Sequence, residues 1–484
     1  MTHVVSEVDQ QRALHRAVNL LREEDPIRSA AVAVVGWQRA VLWTMLAVTV
    51  GCTIWRPLQT AVTLIGLCTL AYVMTMIDRV LIFRQGLAYR AVVISDEEAL
   101  SIPDSQLPRY TILVPAYDEP EVVGDLLAAM GRLDYPDDKI EVLLLLEADD
   151  EVTIAAARFE ESDTVTIVLV PPADPRTKPK ACNYGLEFAT GDIVTIYDAE
   201  DLPEPLQLRR TVAAFAKLPP EVVCVQSKLA YHNSLQNLLT GWLTAEYNLW
   251  FGYLLPGMMR SKSPIPLGGT SNHLRRAVLE EIGAWDPFNV TEDADLGLRI
   301  HALGYRTAVL DSTTLEEANS DPINFIRQRS RWYKGYLQTW LVHIRRPVQL
   351  WKSVGPRAFV RVTLILAGTP IIAVLNILFW FITILWFLGQ PAVIVDVFPW
   401  YVYFPALIAL IIGNGATLYM NLLAVRDDDR ADLIVPALTV PAFFVMMSVA
   451  ATKGVYQLIR NPSYWEKTYH GLTNRPEAEP TVNS

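Results

Sequence analysis

Long apolar runs bracket a polar middle in this chain. Residues 40–55 and 58–77 contain no charged side chain, and each is close to the roughly 20 residues a helix needs to cross a bilayer. Arg56-Pro57 between them predicts a tight helical hairpin. Apolar runs return at 360–388 and 400–424. A further run, 432–452, is interrupted in its first half by Pro436 and Pro441 and reads in two ways: as a fifth span, or, as the basic residues that follow it favour, as a helix lying at the interface or partly inserted. Near the start, residues 9–24 carry Leu14, Val18 and Leu21 at helical spacing, the pattern of a short amphipathic surface helix.

The middle, about 105–345, alternates differently. Strand-like runs at Tyr110–Val114, Glu141–Leu146, Thr164–Val170, Ile193–Tyr197 and Val222–Gln226 are separated by helical patterns such as Glu121–Leu133 and Lys180–Ala189. Such alternation predicts an α/β fold with a mainly parallel sheet and helices on both faces. Ligands then bind at the carboxyl ends of the strands, which is where several polar motifs fall.

Charge sets the expected topology. Arg12, Arg16, Arg22, Arg28 and Arg39 precede the hairpin, and Arg79, Arg84 and Arg90 follow it, so both flanks are expected on the cytoplasmic side. The Gly389–Pro399 loop has no Lys or Arg and is expected outside. Lys453, Arg460, Lys467 and Arg475 place the tail inside. The expected layout is a cytoplasmic segment with an amphipathic helix (1–36), a transmembrane hairpin (37–83) and a cytoplasmic catalytic domain (84–319). Amphipathic interface helices (320–358), transmembrane or interface helices (359–452) and a tail (453–484), disordered from Asn474, complete it. No cleavable signal peptide is visible in the first 36 residues. This is the pattern of a multi-pass protein of the plasma or inner membrane, with the bilayer as a partner.

A net charge of −11 over 484 residues argues against a nucleic-acid partner. The four cysteines, Cys52, Cys68, Cys182 and Cys224, form no C-x-x-C pair. They read as buried small residues in a reducing compartment rather than a zinc or redox site.

Six polar segments carry candidate chemistry. Tyr117-Asp118-Glu119 ends the first strand; Tyr117 suits stacking on a base, and Asp118 or Glu119 accepting a base N–H. Glu147-Ala148-Asp149-Asp150 ends the second and suits a ribose or base clamp. Lys180 opens a helix and suits neutralising a diphosphate; the sequence there is not a Walker loop. Asp198-Ala199-Glu200-Asp201 sets carboxylates where they can ligate one hard divalent cation with phosphate oxygens. Spacing alone leaves open whether Glu200 or Asp201 is the second ligand, and an acidic turn is the bland alternative. Thr291-Glu292-Asp293 starts a helix. A cap with acids in the first turn explains it blandly, and a general base at Asp293 explains it functionally. Gln328-Arg329-Ser330-Arg331-Trp332 lies in a cationic aromatic helix. It suits either a membrane interface or an acceptor site in which Trp332 stacks on sugar and Arg331 meets diphosphate.

In this order, these motifs resemble the membrane-integrated family 2 glycosyltransferases, which include bacterial cellulose synthase catalytic subunits, hyaluronan and chitin synthases and plant mannan synthases. The resemblance is firm over roughly 105–345. Gly268–His273 together with Gly283–Pro287 resembles the family's acceptor-side segment, and Trp465-Glu466-Lys467-Thr468 resembles a gating segment. The resemblance implies a GT-A catalytic domain, a Rossmann-like mixed sheet inserted between transmembrane helices, with a UDP- or GDP-sugar donor and Mg2+ or Mn2+. It also implies inversion at the anomeric carbon and a polysaccharide acceptor. Position by position, Asp198 and Glu200 match the metal motif, Asp293 the base, and Gln328, Arg331 and Trp332 the Q-x-x-R-W signature of processive members. Tyr117, Glu119, Glu147, Asp149, Lys180, Asp198 and Glu292 join these three as expected substrate contacts. Two departures stand out: Asp-Ala-Glu replaces Asp-x-Asp, and Glu147-Ala148-Asp149 replaces an Asp-Asp pair. The expected activity is a processive β-glycosyltransferase, which leaves open whether the polymer is also translocated. The alternatives are transfer of one sugar to a lipid, or an inactive receptor or assembly subunit.

Overall fold

The computed structural model describes residues 7–121, 123–158, 164–389 and 391–466. The tail expected to be disordered, and Lys467-Thr468 of the gating-like segment, lie outside the described residues.

Eight strands form one sheet: β1 (Tyr110–Ala116), β2 (Ile140–Glu147), β3 (Val165–Val170), β4 (Ile193–Ile196), β5 (Leu202–Pro203), β6 (Val222–Tyr231), β7 (Asn272–Arg275) and β8 (Arg306–Glu316). Their order is β3-β2-β1-β4-β7-β6-β8-β5. The first four strands are parallel. In the second half β6 and β8 also run parallel, and the antiparallel pairs that the expected mixed sheet calls for are found there. β7 runs antiparallel between β4 and β6, and β5 runs antiparallel to β8, so the sheet is mixed. Side-chain alternation divides the core in two. Leu113, Leu143 and Leu145 join one apolar cluster, while Ile112, Val114, Val142, Leu144 and Leu146 join the other on the opposite face. A strand buried on both faces reads as a continuous apolar run, as β1 and β2 do.

Register sets the site. Ala116 lies opposite Leu146, and Leu113 opposite Ile196, so the chain after β1, β2 and β4 leaves from one edge. Tyr117, Glu147 and Asp198 therefore gather at the carboxyl ends of the parallel strands.

Ten helices are labelled here: α1 (Glu7–Glu24), α2 (Gly36–Trp55), α3 (Pro57–Ala88), α4 (Lys178–Leu186), α5 (Leu238–Leu249), α6 (Glu292–Ala302), α7 (Pro322–His343), α8 (Thr369–Gly389), α9 (Trp400–Asp427) and α10 (Ile434–Arg460). Among the described residues, four helical stretches are long and apolar enough to cross a membrane: Pro57–Ala88, Pro356–Gly389, Trp400–Asp427 and Ala431–Arg460. α2 is not one of them, although Arg56 separates it from α3 as the expected hairpin requires.

α1 docks on the domain built around this sheet. Ala13, Ala17, Val18 and Leu21 are buried, Asn183 on α4 donates to the Ala17 carbonyl at 3.0 Å, and Arg16 pairs with Glu187 at 2.7 Å. The following turn is held as well: the Ala30 N–H donates to Asp286, and Arg345 donates to the carbonyls of Ile27 and Ser29.

α10 is continuous through Pro441. It lies along α5 and α7 from end to end. Trp242 donates to Thr439 at 2.9 Å, the Phe325 and Phe443 rings are 5.4 Å apart, and a Cβ at Gly454 would sit 2.7 Å from the Ser330 carbonyl. Just before it, Arg430 donates to Ser234 at 2.6 Å. Just after it, Glu466 receives Lys453 at 2.7 Å and Ser330 at 3.4 Å.

Candidate active site

One end of the cleft is formed by the loops after β1 and β2. Asp150 ties them together, accepting the Asp118 N–H at 2.6 Å and, as the cap of the next helix, the Thr153 N–H at 3.2 Å. The Glu119 N–H donates to Thr153 at 3.1 Å. Tyr117 is 46% exposed, placed for stacking. Asp149 pairs with Arg176 at 2.7 Å. Glu147 is buried against Lys180, 2.7 Å away; burial raises its pKa and Lys180 opposes the rise.

The lysine that reaches the acidic centre is Lys178. Its ammonium donates to the Asp198 carboxylate and, at 3.0 Å, to the Gly269 carbonyl. Two residues along a helix are separated by about 200°, so Lys178 and Lys180 face opposite ways from α4. Lys180 was expected to meet a diphosphate, but it is fully buried on Glu147. Burial works to lower the Lys178 pKa, but Asp198 and Glu292 outweigh it and hold the ammonium charged.

Asp201 is fully buried in the turn after β4. It accepts the Asp198 N–H at 2.7 Å and the Thr270 hydroxyl. Burial, then Asp198 and Glu200, push its pKa well up. One oxygen of this carboxylate shapes the turn, while its Oδ1 is buried without a hydrogen-bond partner; Asp198 beside it is half-buried and Glu200 is buried.

Asp293 lies on the other side of Gly269. A Cβ at Gly269 would sit 3.2 Å from an Asp293 oxygen, and Gly269 has φ +83°, a conformation that favours glycine. One glycine thus lets Asp293 approach the backbone that also binds Lys178. The remaining Asp293 oxygen accepts the Ala294 N–H at 2.7 Å. Burial raises the Asp293 pKa to about 6, against Ala294, Lys178 and Arg331. Glu292 rises to about 8, through burial and then through Asp293.

α7 supplies the third wall. Gln328, Arg331 and Trp332 are half-buried, while Arg329 and Ser330 between them are buried behind. The start of α6 is bolted to α7: Asn289 donates to Thr339 at 2.9 Å, Gln338 donates to the Phe288 carbonyl at 3.0 Å, and His343 meets Asp295 at 2.8 Å. The Arg331 guanidinium sits 4.4 Å from the centre of the Trp465 ring, so part of the gating-like segment lies on the motif. Asp198, Glu292, Asp293 and Arg331 thus lie near one another around Lys178 and the Gly269 backbone, and it is Lys178 rather than Lys180 that reaches this acidic centre. Gly269 and the α6–α7 bolts carry no local motif; they become visible only when the chain is folded.

Among the described residues, no group of three or more His, Cys, Asp or Glu side chains is arranged to hold a metal ion by itself. The residues do fit a hard divalent cation completed by phosphate oxygens. Asp198 and Glu200 are carboxylates, and they add to an excess of negative charge that also burdens Asp201 and Glu316, whose pKa values are pushed up by burial first and by these neighbours next.

Residues 108–335 match the sequence profile of the family described as "Glycosyltransferase like family 2". A β-monoglucosyldiacylglycerol synthase of Synechocystis is 28% identical over 242 residues, 49% of this chain and 50% of that protein. The UDP-forming cellulose synthase 1 catalytic subunit of Komagataeibacter xylinus is 30% identical over 247 residues, 50% of this chain and 32% of that protein. The chain thus spans half or less of the length of these relatives. A mannosyltransferase from Pyrobaculum calidifontis, solved with GDP-Man and Mn2+, has a similar fold with a TM-score of 0.51 and 20% identity. The likeness covers 82% of this chain and 99% of that one. The sheet and its flanking helices are a GT-A-type domain.

Proposed function

Starting from a chain that carries a family 2 glycosyltransferase domain at residues 108–335, we propose that it is an inverting, processive β-glycosyltransferase. It takes sugar from a UDP- or GDP-sugar and adds it to a polysaccharide at the cytoplasmic face of a membrane. The observation that carries the reading is the convergence of Asp293, Lys178 and Asp198 around the Gly269 backbone. A base and a diphosphate site within one glycine of each other are what displacement at an anomeric carbon requires.

Asp293, ionised, takes the proton of the acceptor hydroxyl. That oxygen forms its bond to the anomeric carbon on the face opposite the diphosphate. The bond from carbon to the diphosphate oxygen breaks, and its electron pair leaves with the nucleotide, so an α-linked donor gives a β-linked product. Lys178 and Arg331 offset the charge that develops on the diphosphate. A divalent cation held by Asp198 and Glu200 supplies further charge neutralisation to the leaving group when bound. Tyr117, Glu119 and Asp149 hold the nucleoside end, with Glu147 fixed beneath them by Lys180. Gln328 and Trp332 hold the growing sugar.

The packing supports a definite topology. α1 docks on the catalytic domain, so the chain from α2 through α3 crosses the membrane an even number of times, as a hairpin turning at Arg56. Asp427 at the end of α9 meets Arg90 at 2.8 Å, which makes Pro356–Gly389 and Trp400–Asp427 a second hairpin. The chain flanking α10 is tied at both ends, Arg430 to Ser234 and Glu466 to Ser330 on α7, which supports α10 lying along the interface despite its apolar length.

A second reading, transfer of one sugar to a lipid, is favoured by the match to a diacylglycerol glycosyltransferase. Product size separates the two. Purified enzyme given a nucleotide sugar is expected to make long chains, and Trp332→Ala shorter ones. Single-sugar lipid products from the wild type would overturn processivity.

A further inference from the structure

The motif Gln328-Arg329-Ser330-Arg331-Trp332 contains a cation that the mechanism above does not use. Arg329 points away from the diphosphate side, and its side chain is 6% exposed. Its guanidinium lies 4.2 Å from the centre of the Trp332 ring and 5.7 Å from that of Phe325. Residues 325, 329 and 332 share one face of α7 by helical spacing, so the guanidinium lies between two rings, each about one turn away along the helix. Glu246 on α5 grips the far edge of the guanidinium through both terminal nitrogens, one at 3.3 Å. The Arg329 Nε is buried and has no hydrogen-bond partner, so the side chain is placed by the carboxylate fork and the two rings.

A buried arginine with an unpaired nitrogen is costly. A lysine would pair with Glu246 at less expense if an ion pair between α5 and α7 were all the site required. What lysine lacks is a plane. A guanidinium stacks flat on an indole, whereas an ammonium is a point charge on a flexible stem.

We propose that Arg329 is a positioning residue for the acceptor. Clamped by Glu246, it backs one face of the Trp332 indole and fixes the ring's tilt, so that the opposite face is presented to the acceptor sugar. This inference rests on the reading of Trp332 as an acceptor platform. A sugar ring stacks on an aromatic face through apolar contact with little directional hydrogen bonding, so the orientation of that face has to be set from behind. A freely turning indole would hold the acceptor less often, and the activated donor would then be lost to water.

The test is the partition of donor between transfer and hydrolysis, measured per folded molecule as free monosaccharide against sugar incorporated in product. It is run on the wild type, Trp332→Ala, Arg329→Lys, Arg329→Met and Glu246→Gln, with donor KM and melting temperature recorded for each. The inference predicts that Arg329→Lys and Arg329→Met both raise the hydrolysed share several-fold and shorten product, with little movement of donor KM, and that Glu246→Gln does so more weakly. If Arg329→Lys partitions donor as the wild type does while Arg329→Met does not, the residue serves the ion pair alone and the inference is overturned. Lower melting temperatures with unchanged partition in every Arg329 and Glu246 variant would also overturn it, leaving a purely structural clamp. Failure of the underlying reading looks different: Trp332→Ala itself would leave the partition unchanged.

Discussion

Gly335 on α7 faces Thr291 at the start of α6 so closely that a Cβ on Gly335 would lie 2.4 Å from the Thr291 side chain. Thr291 is two residues from Asp293. The helix that carries Arg331 and Trp332 is therefore seated directly on the turn that carries Asp293, and the absence of one methyl group permits that seating.

Gly335→Ala tests this seating. Overpacking of this kind costs about 1–3 kcal/mol, and a displacement near 1 Å at a reacting group costs up to roughly 10²-fold in rate. The expected outcome is a modest loss of melting temperature and a much larger loss of kcat, with donor KM less affected. Thr291→Ser, which removes the methyl nearest the added carbon, is expected to recover part of the rate in the double variant.

Acid should silence the enzyme before it unfolds it. Burial raises the Asp293 carboxyl to about 6, so above that pH the group is ionised and able to take a proton, and below it the group is protonated and idle. kcat is expected to rise with pH through about 6 and then level, falling about tenfold per unit on the acid side. A flat profile from pH 5 to 8 would remove Asp293 from the base role.

The acidic turn should divide into two roles. Asp198→Asn and Glu200→Gln are expected to abolish Mn2+-dependent binding of the nucleoside diphosphate, read by paramagnetic resonance of the metal. Asp201→Asn is expected to retain that binding while lowering the melting temperature, because Asp201 serves the Asp198 N–H and Thr270. Chelator-treated wild type is expected to lose turnover. Loss of metal binding in Asp201→Asn with normal stability would reverse the assignment.

Topology is tested by cysteines introduced at Val393, Arg430 and Arg460. Only the first is expected to be labelled from outside intact cells by a membrane-impermeant reagent, because Arg430 donates to Ser234 and Glu466, in the segment after Arg460, accepts from Ser330 on α7. Labelling at position 460 from outside would make α10 a true span.

Much of this site is legible in the sequence because its chemistry sits in contiguous motifs at strand ends and helix starts. Asp198, Asp293, Arg331 and Trp332 each stand where the apolar pattern breaks. The choice between Lys178 and Lys180 was not legible, because it depends on the phase of α4, and neighbouring positions of one helix look alike in composition. β7 is four residues long and β8 carries Thr and Ser among its apolar positions, so neither has the apolar run that marks β1 and β2, and neither strand is legible in the sequence, although β6 between them is. α1 reads as a surface helix because its buried face is narrow and built partly from Ala13 and Ala17, which carry little hydropathy signal. The path of α10 is set by where its ends are tied, and that depends on residues distant in sequence, such as Ser234 and Ser330.

The most direct measurement is nucleotide release and product formation by Asp293→Asn beside the wild type, across a panel of UDP- and GDP-sugars. The wild type is expected to release nucleotide diphosphate and form a β-linked product from at least one donor. Asp293→Asn is expected to bind that donor with similar affinity but to turn over roughly 10²–10⁴-fold more slowly. A folded Asp293→Asn enzyme that transfers sugar at the wild-type rate would contradict the account.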